Sequence, residues 1–132
     1  MKALLDTNVL LWWLNDDARL RPFAATIADP TNEVLFSSVS TVEIAIKVSL
    51  GKLTVPRAYV DSLLRDDIRE LEFTARHGQA VEPLPWYHRD PFDRMIIAQA
   101  LTEGLPVLTA DRVFHRYGVQ VIPVEWRPSG VG

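Results

Sequence analysis

Short apolar runs alternate with longer helical patterns along the whole chain, and few folds accommodate that order. The apolar runs have the length of strands, and the segments between them have the periodicity or the end signals of helices. Parallel strands need such crossover connections, which are usually helices. We therefore predict an α/β fold with a central, mainly parallel sheet. The predicted strands are Lys2–Asp6, Glu33–Ser37, Glu70–Phe73, Pro106–Thr109 and Gln120–Pro123.

The helices between these strands are delimited by proline, glycine and polar residues. Val9–Leu14 is apolar almost all round, which predicts a helix that is buried or covered by a partner. Gly51 and Gly104 each stand where glycine commonly ends a helix, and Pro91 opens a helix at its first position. The predicted helices are Val9–Leu14, Arg19–Ala28, Thr41–Leu50, Arg57–Asp67, Thr74–Val81 and Pro91–Glu103.

Length and composition limit the class of protein. A chain of 132 residues is typical of one domain with one core, so we predict a single domain over residues 1–132. The absence of cysteine removes disulfides, thiolate zinc sites and a cysteine nucleophile, and is consistent with a reducing compartment. Asp6 and Asn8 interrupt the apolar N-terminus too early for a signal peptide, and no apolar run is long enough to span a membrane. We therefore predict a cytoplasmic protein without a membrane partner.

Four carboxylates stand where a predicted strand gives way to a helix, or in the first turn of a helix. In open parallel sheets, ligands bind beyond the carboxyl ends of the strands, so these side chains converge if the strands are neighbours. Hard divalent cations prefer carboxylate and water oxygens. Such a cation activates water for attack on a phosphodiester, so no side-chain nucleophile is needed. The four acids are Asp6, Glu43, Asp93 and Asp111.

Each acid also has a simple structural explanation. Glu43 follows Ser40 in a capping-box pattern, and Asp90 with Asp93 fits the start of a helix. The other two acids could each order a turn. Together, however, four acids at equivalent places favour a metal site, and their repulsion predicts at least one raised pKa without metal. The net charge of −3 argues against nucleic-acid binding only if no cation occupies these acids.

Several spaced motifs resemble those of bacterial PIN-domain proteins of the VapC toxin type, and the likeness runs from Met1 to about Pro123. Their order along the chain makes a chance match implausible, whereas an isolated Asp-Thr-Asn would be weak. By this resemblance each of the four acids is a metal-binding acid of the family. The motifs are Leu4–Trp12, Ser38–Lys47 followed by Leu50–Leu53, His88–Ala100 and Leu108–Asp111.

The resemblance implies a PIN-like three-layer α/β/α sandwich and an endoribonuclease that depends on Mg²⁺ or Mn²⁺, with one or two ions at the four acids. It also implies a homodimer and a small VapB-like antitoxin that covers the active site with a basic segment. The implied substrate is RNA, with tRNA or another structured RNA as a candidate. No short motif in the chain indicates which RNA is cut.

Polar residues beside the acids are candidates for supporting roles. Thr7 and Asn8 could bind a metal-bound water or a phosphate, or could bond within their own turn. Ser38 and Thr109 could orient the acids, with turn or cap bonding as the alternative. Asp90 is expected to shape the start of the last helix, with Asp93 one turn on holding metal.

Basic residues follow the acids closely. They either bind RNA phosphates or form a solvated charged face. His88 is expected to order its loop rather than bind metal, and His77 to be a surface or helix histidine. The basic candidates are Arg94, Arg112, His115 and Arg116.

Two aromatic pairs have two interpretations each. Adjacent residues on a helix point about 100° apart, so either Trp12 or Trp13 faces a partner, or both pack under loops of the same chain. Trp86 and Tyr87 either stack a base of single-stranded RNA or plug a loop.

Three other functions fit parts of the pattern. An aspartyl phosphatase would use Asp6 as nucleophile, but such enzymes usually place a second acid two residues on, where this chain has Asn8. A flap or DNA nuclease uses similar acids but generally needs more carboxylates and a helical insertion for which this chain has no room. A non-cleaving RNA- or protein-binding module is the remaining alternative, and a metal requirement for cleavage separates it from the enzyme.

Overall fold

The computed structural model describes residues 1–122, in which four strands form one parallel sheet. The fifth predicted strand, Gln120–Pro123, ends outside the described residues. Its described part forms a single parallel bridge, between Val121 and Val107. The strands are β1 (Lys2–Leu5), β2 (Glu33–Ser37), β3 (Ile68–Leu71) and β4 (Val107–Leu108).

Six α-helices and two 3₁₀ helices connect and follow the strands in residues 1–122. The single helix predicted over Arg19–Ala28 is divided into a 3₁₀ helix, Ala18–Leu20, and an α-helix. Within the described part of the chain, every helix is too short or too polar to cross a lipid bilayer. The α-helices are α1 (Thr7–Leu14), α2 (Arg21–Ala28), α3 (Ser38–Ser49), α4 (Tyr59–Arg65), α5 (Ala75–Val81) and α6 (Pro91–Glu103), and the second 3₁₀ helix is Arg112–Tyr117.

The sheet has the order β3-β2-β1-β4, so β1 lies inside it. Leu4 of β1 pairs with Leu35 of β2 on one side and with Val107 of β4 on the other. β2 pairs in parallel with β3 in turn. The predicted α/β class with a central parallel sheet is therefore confirmed.

Helices cover both faces of the sheet. Successive side chains of a strand point to opposite faces. Leu4 accordingly lies in a core that includes Ile97 of α6, whereas Leu5 lies in a second core that includes Leu10 of α1 and Phe23 of α2. Two hydrophobic cores, one on each face, confirm the predicted three-layer arrangement.

Polar first turns place two helix starts ahead of the predicted positions. α1 begins at Thr7 rather than Val9, and α3 begins at Ser38 rather than Thr41. In both cases the side chain of the preceding residue accepts a backbone N–H of the first turn, which lets the helix start on polar residues. β2 and α6 have the predicted bounds.

The segment around β3 differs more from prediction. α4 covers Tyr59–Arg65 rather than Arg57–Asp67, and β3 covers Ile68–Leu71 rather than Glu70–Phe73. Asp67 adopts a left-handed conformation with φ of 62°. That conformation stops the helical turn, so the strand begins two residues earlier than predicted.

The strand order reverses next to β1. The chain moves from β1 to β2 to β3 and then returns to the other side of β1 with β4. Open α/β sheets bind ligands beyond the carboxyl ends of strands at such a reversal. Asp6 directly follows β1 and Thr109 directly follows β4, so the topology places both residues at this cleft.

Leu4 is fully buried at the centre of the sheet, and Leu4→Ala should lower the free energy of unfolding by about 2–5 kcal/mol. Leu101 on α6 is 42% exposed, so Leu101→Ala should cost less than about 1 kcal/mol. Urea unfolding of the two variants measures the difference. Equal losses would contradict the burial of Leu4 between the sheet and α6.

Candidate metal centre

Asp6 lies at the end of β1 and is almost completely buried. Its Oδ1 accepts the backbone N–H of Val9 at 2.8 Å, which caps α1. Its Oδ2 accepts the hydroxyl of Thr109 at 2.5 Å, and its backbone N–H donates to the carbonyl of Leu108. Asp6 therefore caps a helix and also joins the ends of β1 and β4.

Glu43 lies in the second turn of α3 and is only 5% exposed. The ammonium of Lys47 donates to Oε2 at 2.6 Å, and this hydrogen bond raises the pKa of Lys47. Oε1 is buried and has no hydrogen-bond partner among residues 1–122. The capping-box explanation of Glu43 is wrong, because α3 begins at Ser38 and Ser40 lies inside it.

Asp90 and Asp111 cap the starts of two helices, whereas the side chain of Asp93 does not cap a helix. Asp90 caps α6 by accepting the backbone N–H of Asp93 at 3.0 Å, as predicted, and leaves the Asp93 carboxylate free of that role. Asp111 caps the 3₁₀ helix through Oδ1, which accepts the N–H of Val113. Its Oδ2 remains available to neighbouring side chains.

His88 links two of the acids. Its Nε2 lies 2.9 Å from Oδ2 of Asp111 and 3.0 Å from Oδ2 of Asp93. Its Nδ1 accepts the backbone N–H of Asp90, so the proton of a neutral ring lies on Nε2 and faces the carboxylates. The backbone N–H of His88 donates to the hydroxyl of Tyr117. The loop-ordering role is confirmed, but the contact with the two acids was not anticipated.

Crowding and burial weaken the acidity of two carboxyls. The pKa of Asp6 is raised to about 6, mainly by burial. Hydrogen bonds from Thr109 and Val9 lower the pKa, and the charges of Asp111 and Glu43 make smaller contributions that raise it. Burial also raises the pKa of Asp93 to about 7, with the charge of Asp90 as the next contribution. The prediction of at least one raised pKa is confirmed, although loss of hydration contributes more than repulsion.

These side chains fit a hard divalent cation. Donor atoms of His88, Asp93 and Asp111 all lie within 4.8 Å of one another. The charges of Asp6 and Glu43 act on Asp93. The charge of Asp111 acts on Asp6, so all four predicted acids interact electrostatically. The unpartnered Glu43 oxygen is costly to bury unless a cation or a water binds it. Carboxylate oxygens are suitable ligands for Mg²⁺ or Mn²⁺.

Two of the predicted supporting residues position the acids. Thr109 donates to Asp6 and accepts the backbone N–H of Asp111, so one hydroxyl connects two of the acids. Thr7 is buried and its hydroxyl lies 2.8 Å from that of Ser40. That contact joins α1 to α3, the helix that carries Glu43, so Thr7 acts through the packing of helices and not on a phosphate.

Two other candidates lie apart from the acids' hydrogen bonds. Ser38 accepts the backbone N–H of Phe73 at 2.9 Å and thereby holds the chain that follows β3. Among residues 1–122 its hydroxyl makes no hydrogen bond to the four acids, which favours the alternative of local bonding. Asn8 is exposed on the first turn of α1, where it is accessible to a substrate.

The basic candidates divide into one buried and several exposed residues. Arg94 is only 3% exposed, and its guanidinium donates to the carbonyls of Pro85 and Leu84 at 2.8 and 3.1 Å. Neither a contact with RNA phosphates nor a solvated charged face fits Arg94, since loop carbonyls enclose its charge. Arg112, His115 and Arg116 are exposed and remain candidates.

The two adjacent tryptophans both pack at the margin of the core on one face of the sheet. Trp12 lies against Phe23, with ring centroids 6.2 Å apart. Trp13 donates its indole N–H to the carboxylate of Asp66. Both rings are half-buried, which favours packing within the chain for the pair.

Burial decides between the alternative interpretations of His77 and of the pair Trp86 and Tyr87. His77 lies on a helix but is only 2% exposed, with its ring between Thr74 and Glu103. A surface position is therefore wrong for it. Trp86 is 74% exposed and Tyr87 is 43% exposed, so neither ring plugs the loop.

Comparison with known proteins identifies the family. A family model of the PIN domain matches residues 3–120, and the chain belongs to this family. The chain is 28% identical over 113 residues to Ribonuclease VapC22 of Mycobacterium tuberculosis, which covers 83% of this chain and 87% of that protein.

Solved structures share the fold at lower identity. A chain of the DNA-bound VapBC from Salmonella typhimurium matches with a TM-score of 0.68 and 21% identity, over 92% of this chain and 97% of that chain. A chain of VapBC2 from Rickettsia felis, bound to a fragment of its promoter DNA, matches with a TM-score of 0.67 and 16% identity, over 92% and 96% of the two chains. These likenesses support the assigned fold.

The raised pKa values predict how the metal-free protein responds to pH. Both carboxyls bind protons more tightly in the folded state, so folding stability should fall as pH rises from about 4 to 7. Asp93→Asn removes one of these charges and should raise the free energy of unfolding at pH 8 by about 1–3 kcal/mol, with little change at pH 4. Urea unfolding in EDTA measures this, with exposed Asp61→Asn as the control. Parallel pH profiles for Asp93→Asn and wild type would refute the prediction.

Proposed function

We propose that the chain is a metal-dependent endoribonuclease and the toxin of a toxin–antitoxin pair, which hydrolyses RNA phosphodiester bonds. The observation that carries the proposal is the cluster of Asp6, Glu43, Asp93 and Asp111. Asp93 and Asp111 both contact His88, and one buried oxygen of Glu43 has no hydrogen-bond partner among residues 1–122. The similarity to Ribonuclease VapC22 supports RNA as the substrate.

The four acids would hold one or two Mg²⁺ or Mn²⁺ ions. A bound ion supplies activation of water as a nucleophile and compensation of the charge that develops on the phosphate. The side chains supply orientation, since Thr109 fixes one oxygen of Asp6 and Lys47 fixes one oxygen of Glu43. Ligands held in place before the reaction need little reorganisation during it.

His88 would serve the metal-free state. It lies between Asp93 and Asp111, and its Nε2–H offsets part of their repulsion. With the acids' charge compensated by a bound cation, the imidazole of His88 would be free to donate to a phosphate oxygen of the substrate. The residue thus keeps the acids close together without occupying the buried oxygen of Glu43.

A cavity of about 690 Å³ beside Asp111 is the proposed entry for part of the RNA. Arg112 and His115 line it from the 3₁₀ helix, and Arg21 lines it from α2. Exposed cations beside an acidic centre can bind flanking phosphates, while the acids and their ions bind the scissile one. Arg116 lies on the same 3₁₀ helix and is a further phosphate contact.

Protein partners are part of the proposal. Val42 and Ile46 of α3 and Leu50, which caps the end of that helix, are exposed at four-residue spacing and therefore form one stripe. Apolar stripes of this kind mark protein interfaces, and we assign this one to the homodimer. A VapB-like antitoxin would cover the acids with a basic segment, whose charge matches the cluster. The VapBC complexes with the same fold support such a pairing.

Purified protein free of antitoxin should cleave total RNA with Mg²⁺ or Mn²⁺ and lose this activity in EDTA. Asp6→Asn and Asp93→Asn should each lower the cleavage rate by roughly 100-fold or more, because each removes a ligand charge. Asp61→Asn, which changes an exposed acid of α4, is the matched control and should keep the wild-type rate. Fragments are measured on denaturing gels.

Cleavage that survives EDTA and both active-site variants would overturn the enzymatic proposal. RNA binding without metal-dependent cleavage would instead favour the non-cleaving binding module. Melting curves of each variant separate a loss of chemistry from a loss of folding.

If the stripe forms the homodimer interface, a charge placed in it should lower the molar mass of the protein in solution. Ile46→Glu places a charge in the middle of the α3 stripe and should convert a dimer to a monomer, as measured by light scattering after size-exclusion chromatography. Leu64 is exposed to a similar extent on α4, and Leu64→Glu should leave the dimer intact. Equal behaviour of the two variants would place the interface elsewhere.

A further inference from the structure

Two exposed aromatic residues directly precede His88, which contacts Asp93 and Asp111. We propose that Trp86 and Tyr87 form a stacking platform that holds unpaired bases of single-stranded RNA next to the cleavage centre. The inference rests on the proposed ribonuclease function and names the form of RNA that this site takes. Trp86 is the most exposed large hydrophobic residue in the described part of the chain, at 74%.

The platform has a rigid base. The guanidinium carbon of Arg94 lies 3.8 Å from the centroid of the Trp86 ring, and Arg94 itself is buried. The same guanidinium donates to the carbonyls of Pro85 and Leu84, the two residues before the tryptophan. One face of the indole therefore rests on a buried cation, while the high exposure of the ring leaves the opposite face open to solvent.

A second side chain fixes the loop to the acid cluster. The hydroxyl of Tyr117 donates to the carbonyl of Pro85 at 2.8 Å and accepts the backbone N–H of His88 at 2.7 Å. The Tyr117 ring also packs edge-on against Tyr87, with centroids 5.2 Å apart. Backbone on both sides of the two exposed aromatics is thus held, so little order has to be gained when a ligand binds.

The position of the platform matches the proposed chemistry. His88, which touches Asp93 and Asp111, follows Tyr87 directly. Two residues of chain span at most about 7 Å, so the backbone of Trp86 lies within that distance of the backbone of His88. A base stacked on the indole would bring its own phosphate toward the cluster.

The charges around the platform favour nucleic acid over an apolar partner. The guanidinium of Arg116 lies 4.1 Å from the centroid of Tyr87, and this arginine is exposed. It is placed to bind the phosphate of a stacked nucleotide. Base stacking on aromatic rings tolerates any sequence because every base has a π-face, but it requires bases that are not already stacked in a duplex.

Binding of fluorescently labelled oligoribonucleotides tests the platform. Asp93→Asn protein, in which cleavage is suppressed, is titrated with a single strand and with the same sequence in a duplex. Adding Trp86→Ala should weaken single-strand binding by roughly 10-fold or more and change duplex binding by less than about 2-fold. Trp86→Phe should retain most of the affinity. Leu64→Ala, which removes a similarly exposed apolar side chain on α4, should bind like the parent protein.

Other outcomes overturn the inference. Unchanged single-strand affinity in Trp86→Ala, or equal losses of affinity for single strand and duplex, would refute the stacking platform. Loss of self-association with intact RNA binding would assign the aromatics to a protein contact and also overturn it.

Cleavage by the protein with an intact Asp93, measured in parallel, separates the two proposals. Metal-dependent cleavage together with RNA binding that Trp86→Ala does not change would refute the stacking platform and leave the ribonuclease proposal standing. Single-strand binding that depends on Trp86, without cleavage by wild type, would support the stacking platform and refute the enzymatic proposal.

Discussion

Burial of the Asp6 carboxyl between the ends of β1 and β4 is the constraint to which the rest of the site responds. A carboxyl in this position loses its hydration, which raises its pKa to about 6. The backbone N–H of Val9 and the hydroxyl of Thr109 each satisfy one of its oxygens, but neither donor carries a charge. The neighbouring acids add to the negative potential. The sheet and the proposed metal chemistry are therefore linked, because the contacts that complete the fold leave the cluster short of positive charge.

The layers of the fold could be predicted from the sequence, whereas several boundaries could not. β2 and α6 carry clear apolar patterns and end signals, and the structure has them at the predicted residues. The starts of α1 and α3 were missed because apolar periodicity contains no information about a polar first turn. The 3₁₀ helix after Asp111 was missed for a similar reason, since its six residues follow no α-helical period. Local hydrogen bonds of polar side chains decided these ends.

The four acids could be placed near one another because each lies within two helical turns of the carboxyl end of a strand or at the start of a helix. The side chains that contact the acids were harder to predict, because adjacency in sequence does not show which way a side chain points. Arg94 follows Asp93, yet successive helix positions point about 100° apart, so the carboxylate meets His88 while the guanidinium enters the loop. Lys47 could have been found, because it lies one helical turn from Glu43. His88 could not, because its contacts depend on how a loop returns to the sheet.

The hydrogen bond between Thr109 and Asp6 joins residues 103 positions apart. The strands that carry them are also neighbours, so the centre of the sheet forms only after nearly all of the described chain is present. On a translating ribosome, an emerging chain has Asp6 long before it has Thr109 or Asp111. Contacts of such long range also slow folding. The acid cluster is therefore absent from any nascent chain that ends before Asp111, whatever activity the four acids carry once they are assembled.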